Sequence, residues 1–358
     1  TVCFLRSLTF KSSEIINAAG LNPSYCTEID KAYNIYRYAS KNRLRFFKFG
    51  KELNPALTNS NQKIYFGTPG SGKSYKVSEI VAGQDEFTFR TTFHPDSDYT
   101  TFVGAYKPVK NGDVLTYEFV PQVFTNAYVK AWNNSETPVY LVIEEINRGN
   151  CAQIFGDLFQ LLDRDDSGVS EYTIKADTDL MKYLESDKGL GVGHDGIKAG
   201  KLRLPSNFHI LATMNTSDQS LFPIDSAFKR RWAWEYVPID YEKEESRFII
   251  MVGNKKYQWL SFLNKVNERI HSLSDSEDKQ MGNFFIKSDV DVEEFKSKVM
   301  FYLWSEVCKE YERCGSFFID KNNGDSEFTF NSLFPTNDHT NRLLQGFMDY
   351  LGVAEEQS

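Results

Sequence analysis

The 358-residue chain has few cysteines, no excess of positive charge and no long apolar run. Its five cysteines (Cys3, Cys26, Cys151, Cys308 and Cys314) are odd in number and scattered. Cys308 and Cys314 have no histidine or third cysteine beside them, so no zinc pattern is formed. The expectation is reduced thiols in a cytoplasmic protein. No apolar stretch approaches the roughly 18 residues of a membrane span, so no membrane association is expected. Thr1 to Phe10 lack the charged-then-apolar order of a signal peptide, and the chain opens without Met, as a trimmed piece of a longer protein would. Forty-one basic residues stand against 49 acidic ones, a formal net charge of -8. That balance excludes a protein that coats nucleic acid with its whole surface, while leaving room for a local basic groove.

What is present is a chain long enough for about two domains with a sizeable core. With 29 Phe and 19 Tyr it is too aromatic to be disordered. Residues 11–58 read as a helical lead-in ending in a basic-aromatic run between Lys41 and Lys51. From Lys63 short apolar runs alternate with helical patterns. Strands are expected at Ile64–Phe66, Phe87–Thr91, Val139–Ile143, Phe208–Ala212 and Trp234–Val237, with helices starting near Gly72, Pro121, Asn150 and Ser226. That alternation predicts an α/β core over 59–240, a parallel sheet covered by helices. Residues 165–203 form a glycine-rich, charged insertion, and 241–358 read as a mainly helical second domain, with helical patterns at Trp259–Ile270, Val292–Val307 and Leu343–Tyr350.

The run Gly67, Thr68, Pro69, Gly70, Ser71, Gly72, Lys73, Ser74 fits GxxxxGK[ST], follows an apolar strand and leads into a helix. Glycines there let successive backbone N–H groups turn toward a phosphate chain, and the helix N-terminus adds partial positive charge. Lys73 is expected on the β- and γ-phosphates and the Ser74 hydroxyl on Mg²⁺.

Val139–Ile143 ends in Glu144 and Glu145, two carboxylates that are costly at the tip of an apolar strand unless something uses them. Beside a phosphate loop, Glu144 would serve the Mg²⁺ shell and Glu145 would polarise the attacking water. The run Phe208–Ala212 leads through Thr213 and Met214 to Asn215, whose amide suits a sensor of γ-phosphate and water. Lys229, Arg230 and Arg231 close a short helix. They suit the helix dipole, and in ring-forming NTPases arginines there act as fingers on a neighbour's nucleotide.

Together these motifs resemble the McrB-type AAA+ motor of modification-dependent restriction systems. The resemblance spans about 63–240 and includes Glu144 to Asn150 followed by Ile154 to Leu158. It also includes Met214 to Leu221, similar to that family's MNTADRSL signature, and the segment Thr92 to Pro108. It implies an AAA+ P-loop NTPase core with a helical lid, a hexameric homo-oligomeric ring, Mg²⁺, GTP in preference to ATP, and a McrC-like nuclease partner. It places Asn147 and Arg148 at the interface site, Asn215 as sensor, Arg230 and Arg231 as trans-acting fingers, and Tyr75 and Asp218 among the nucleotide contacts. The signature's arginine is Gln219 here. DNA would be reached through the complex or a missing N-terminal domain, since only about 60 residues precede the motor. Two further readings stand beside the motor: a MoxR-like chaperone ATPase that remodels proteins, and a nucleotide-bound scaffold with little turnover.

Overall fold

The computed structural model describes residues 62–111, 114–217, 222–274, 277–308 and 317–356. The chain divides into two units, Thr1–Asn59 and Ser60–Ser358. The helices expected within 11–58, the run Lys41 to Lys51, and Asp218 with Gln219 all lie outside the described residues.

Within the second unit, strands β1 (Gln62–Gly67), β2 (Thr88–Thr92), β5 (Val139–Glu144), β8 (Phe208–Asn215) and β9 (Ala233–Tyr236) form one sheet in the order β2-β5-β8-β1-β9. Every pair is parallel. All five expected strands are therefore present, each shifted or extended by a residue or more. Their continuous apolar runs have a simple cause, burial on both faces. Ile64, Leu141, Ile143 and Ile210 enter one core with Phe124, Phe155 and Leu158. The alternate residues Tyr65, Val142 and Leu211 enter a second core with Val77 and Val81. Burying each such side chain contributes about 1.5–3 kcal/mol.

Helix α1 (Lys73–Ile80) covers the second core, burying Val77. The first core is covered by α2 (Tyr99–Phe102), α3 (Val123–Asn133), α4 (Cys151–Phe155), α5 (Thr178–Leu184) and α6 (Ser226–Lys229). Between α2 and α3 stands an antiparallel hairpin, β3 (Gly104–Asn111) with β4 (Val114–Pro121), which the sequence reading did not assign. The insertion 165–203 is built onto the core through β6 (Ile174–Lys175), β7 (Lys201–Leu202) and α5, burying Ile174, Leu180, Leu184, Ile197 and Leu202.

The C-terminal region has its own core, formed by α7 (Trp259–Ser274), α8 (Val292–Glu294), α9 (Asp338–Leu351) and the segments around them. The expected helix Val292–Val307 continues beyond α8 as π-helical turns at Phe295–Met300 and Leu303–Cys308. Two small hairpins, β10 (Ile249–Val252) with β11 (Lys255–Gln258) and β12 (Ile319–Asp320) with β13 (Ser326–Glu327), interrupt an otherwise helical region.

The cysteines are not all reduced thiols, contrary to expectation. Cys151 is a buried free thiol whose burial pushes it up to about 12, but Cys308 is disulfide-bonded. A disulfide requires two thiols brought close in space, a juxtaposition that spacing along the chain does not reveal. Among the described residues, no helix is long and apolar enough to cross a membrane.

Candidate active site

The site lies at the C-terminal ends of the parallel strands. β1 runs between β8 and β9, while the chain that follows it crosses to β2 at the far edge of the sheet. A ligand crevice forms where the strand order reverses in this way. The register sets Gly67, the first residue of the phosphate loop, beside Asn215 at the end of β8.

Gly70 (φ 78°) and Gly72 (φ 93°) take the left-handed conformation that a side chain disfavours, and this turns the loop into the start of α1. Lys73 is buried and folds back, its ammonium donating to the carbonyls of Gly67 (3.1 Å) and Thr68 (2.7 Å). The hydroxyls of Thr68 and Ser71 are buried without a hydrogen-bond partner. Orphaned hydroxyls in a buried loop carry a desolvation cost that an incoming acceptor relieves. A cradle of backbone N–H groups, two unsatisfied hydroxyls and one ammonium fits a phosphate chain. Tyr75, the next residue, is exposed and stacks on Phe284 at 6.2 Å.

Glu144 accepts from the hydroxyls of Ser74 (2.9 Å) and Thr213 (2.6 Å) and from the Arg90 guanidinium (3.2 Å). Hydroxyl and carboxylate oxygens side by side are a hard donor pair suited to Mg²⁺, the rest of whose shell comes from phosphates and water. No group of three or more His, Cys, Asp or Glu able to hold a metal occurs among the described residues. Arg90 on β2 and Thr213 on β8 were missed by the sequence reading. Only the pairing of β5 between β2 and β8 makes them neighbours of Glu144.

Glu145 has a left-handed backbone (φ 55°), a conformation that costs a non-glycine residue about 1–2 kcal/mol. Its N–H donates to the Thr213 hydroxyl at 3.1 Å. Its two carboxylate oxygens accept from the amide nitrogen of Asn215, at 3.1 and 3.0 Å. Asn147 is buried in the turn that follows and donates to the Asn215 carbonyl at 3.1 Å. The structure thus brings together Lys73, Ser74, Glu144, Glu145, Asn147 and Asn215 from three strand ends. Arg148 follows in the same turn and is exposed.

The two finger candidates differ. Arg231 pairs with Asp163 at 2.7 Å, lies over the Phe159 ring and is 8 % exposed. Arg230 is exposed and forms no ion pair among the described residues. In the C-terminal region, Arg269 donates to the Tyr350 hydroxyl (3.0 Å) and Arg342 to the Asp338 carbonyl (3.2 Å).

A parallel sheet in this order, with a phosphate loop beside an acidic strand end and an asparagine closing the next strand, defines a P-loop NTPase of the AAA+ class. The family model for the AAA domain of the dynein-related subfamily matches residues 64–232. The chain is 37 % identical over 309 residues to the type II restriction enzyme BsuMI component YdiS of Bacillus subtilis strain 168, covering 75 % of this chain and 88 % of that protein. It is 24 % identical over 229 residues to the type IV methyl-directed restriction enzyme EcoKMcrB subunit of Escherichia coli strain K12, covering 63 % of this chain and 45 % of that one. The chain belongs to the McrB-type family of restriction-system AAA+ NTPases.

Proposed function

We propose that this chain is the nucleotide-hydrolysing motor subunit of a DNA restriction complex, forming a homo-oligomeric ring, hexameric as in AAA+ motors generally, that drives a McrC-like endonuclease partner. GTP is its preferred nucleotide and Mg²⁺ its metal. The complex works in the cytoplasm and meets DNA through the assembled particle or a region beyond this segment. Two relatives that are themselves components of restriction enzymes support the reading.

The observation that carries it is the pairing of Asn215 with Glu145 beside Ser74 and Glu144. Lys73 would leave the loop carbonyls for the β- and γ-phosphates, exchanging weak carbonyl contacts for charge-assisted ones. Gly67 to Ser74, with Tyr75 and Asp218, would enclose the nucleotide. Ser74 and Glu144 would hold Mg²⁺, whose charge offsets that of the phosphates when it is bound. Glu145, held by the Asn215 amide, would accept a proton from the attacking water. Asn147 would fix the Asn215 backbone, and Arg148 and Arg230 would face a neighbouring copy. Arg231, held by Asp163, would support that helix end.

The test is turnover of GTP and of ATP by the full chain, alone and with a McrC-like nuclease subunit. GTP hydrolysis stimulated by the nuclease is the expected result. Turnover indifferent to the nuclease but stimulated by a protein substrate would favour a remodelling chaperone. Binding without turnover under any condition would leave a scaffold and end the motor reading.

A further inference from the structure

The phosphate loop is gripped from outside by the C-terminal region. The Gly282 N–H donates to the Pro69 carbonyl and the Phe284 N–H to the Gly70 carbonyl, both at 2.8 Å. The approach is so close that a Cβ on Gly282 would lie 2.2 Å from the Ser71 nitrogen, and one on Gly70 would lie 2.6 Å from the Phe285 nitrogen. Phe284 continues the contact, its ring 3.4 Å from where a Gly72 Cβ would stand and stacked on Tyr75.

The gripping segment is itself held by two buried asparagines. Asn267 on α7 donates to the Met281 carbonyl (2.8 Å) and accepts from the Met281 N–H (2.9 Å). Asn283 pairs in the same two-way manner with the backbone of Asp240, just beyond β9, and its own carbonyl accepts from the Trp259 indole at 2.8 Å. Asn267 and Asn283 are 0 % and 1 % exposed. Buried amides with both ends satisfied fix one backbone geometry, because every alternative leaves a polar group unpaired.

The consequence for the phosphate loop follows from the planar trans peptide, in which C=O and N–H point in opposite directions. Drawing the Pro69 and Gly70 carbonyls outward turns the N–H groups of Gly70 and Ser71 inward. The Ser71 N–H already points to the loop's interior, 3.2 Å from the Thr68 carbonyl.

We propose that residues 281–285 are a positioning element for the phosphate loop, with Asn267 and Asn283 as positioning residues, so that affinity for the β- and γ-phosphates of a nucleoside triphosphate depends on this backbone clamp. Displacement of the C-terminal region would release the two carbonyls and weaken the cradle. This deepens the nucleotide-site reading and rests on it.

Two measurements on the full chain decide it, both with fluorescent GTP and ATP analogues as probes. Gly282→Ala, whose new methyl meets loop backbone and displaces both hydrogen bonds, should lower the melting midpoint and weaken binding by about tenfold or more when binding is measured well below that midpoint. In the native protein, hydrogen exchange of the Gly282 and Phe284 amides should slow when the nucleotide analogue is added, together with residues 68–74. Affinity in Gly282→Ala within about twofold of native overturns the proposal. If that variant does not fold, unaltered exchange at Gly282 and Phe284 while 68–74 become protected overturns it equally. A native chain that binds neither analogue removes the nucleotide-site reading itself, and the clamp's role with it.

Discussion

The carboxamide nitrogen of Asn215 lies 3.1 and 3.0 Å from the two carboxylate oxygens of Glu145, across the gap between the ends of β8 and β5. One side chain thereby fixes the orientation of a carboxylate whose own backbone is held in an unfavourable left-handed turn. Asn215→Ala should leave nucleotide affinity near native and lower kcat by about 10²-fold, the scale of a mispositioned reacting group. Steady-state kinetics beside equilibrium binding separate the two. An equal loss of both would make Asn215 a binding residue.

Glu145→Gln keeps the shape of the side chain and removes the proton acceptor. Hydrolysis should fall by about 10²–10⁴-fold while nucleotide stays bound. Bound nucleotide recovered intact after prolonged incubation is the expected readout. Turnover near native would place the base elsewhere.

Lys73→Ala removes the one ammonium of the phosphate loop, which now rests on the Gly67 and Thr68 carbonyls. Nucleotide affinity should drop by about 10²-fold, the worth of a charge-assisted contact in a buried cradle. Titration calorimetry checks it, and undiminished affinity would reject the loop as the phosphate site.

Arg230 and Arg231 should separate sharply. Arg231→Ala breaks a largely buried pair with Asp163 and should lower stability by about 2 kcal/mol, less than a fully buried pair because Asp163 keeps some water. Arg230→Ala should leave the melting curve unchanged and cut turnover by about 10³-fold, the scale of a lost arginine finger. Mixing Arg230→Ala with Glu145→Gln subunits should restore part of the activity that each lacks alone. Absence of any recovery on mixing would argue against a finger acting on the neighbouring copy.

His209 stacks on Tyr140 at 5.3 Å, and burial, aided by the Arg164 cation, holds its imidazole down to about 4. The unfolded chain takes up that proton near pH 6.5, while the folded chain resists it. The stability is therefore full above about pH 6.5 and lost as pH falls toward 4, by up to about 3 kcal/mol. His209→Phe should flatten the pH dependence of the denaturation midpoint across that window. An unchanged slope would assign the acid sensitivity to other groups.

The five strands of the main sheet were legible because burial on both faces writes an unbroken apolar run, and the phosphate loop because its glycines are dictated locally. The hairpin Gly104–Pro121 was not, although Leu115 to Phe119 alternate in character. Such alternation over short stretches carries a weaker signal than a fully buried run. In the C-terminal region, the helical pattern of Val292–Val307 was visible, but its π-helical winding was not.

The candidate residues were legible by type and place in the chain: Lys73 and Ser74 after the glycines, Glu144 and Glu145 at one strand tip, Asn215 at another. What each touches was decided only by the tertiary structure. Arg90 and Thr213 meet Glu144 because β5 lies between β2 and β8, an order set by packing rather than by any local preference. Arg230 and Arg231 are adjacent and chemically alike, yet only the second faces Asp163 and Phe159. The segment Gly282–Phe285 carries no recognisable motif, and its hold on Pro69 and Gly70 runs through backbone groups that every residue possesses. Local chemistry is written in residue types, but a contact across more than 200 residues is specified by the sum of all the burial that brings the two segments together.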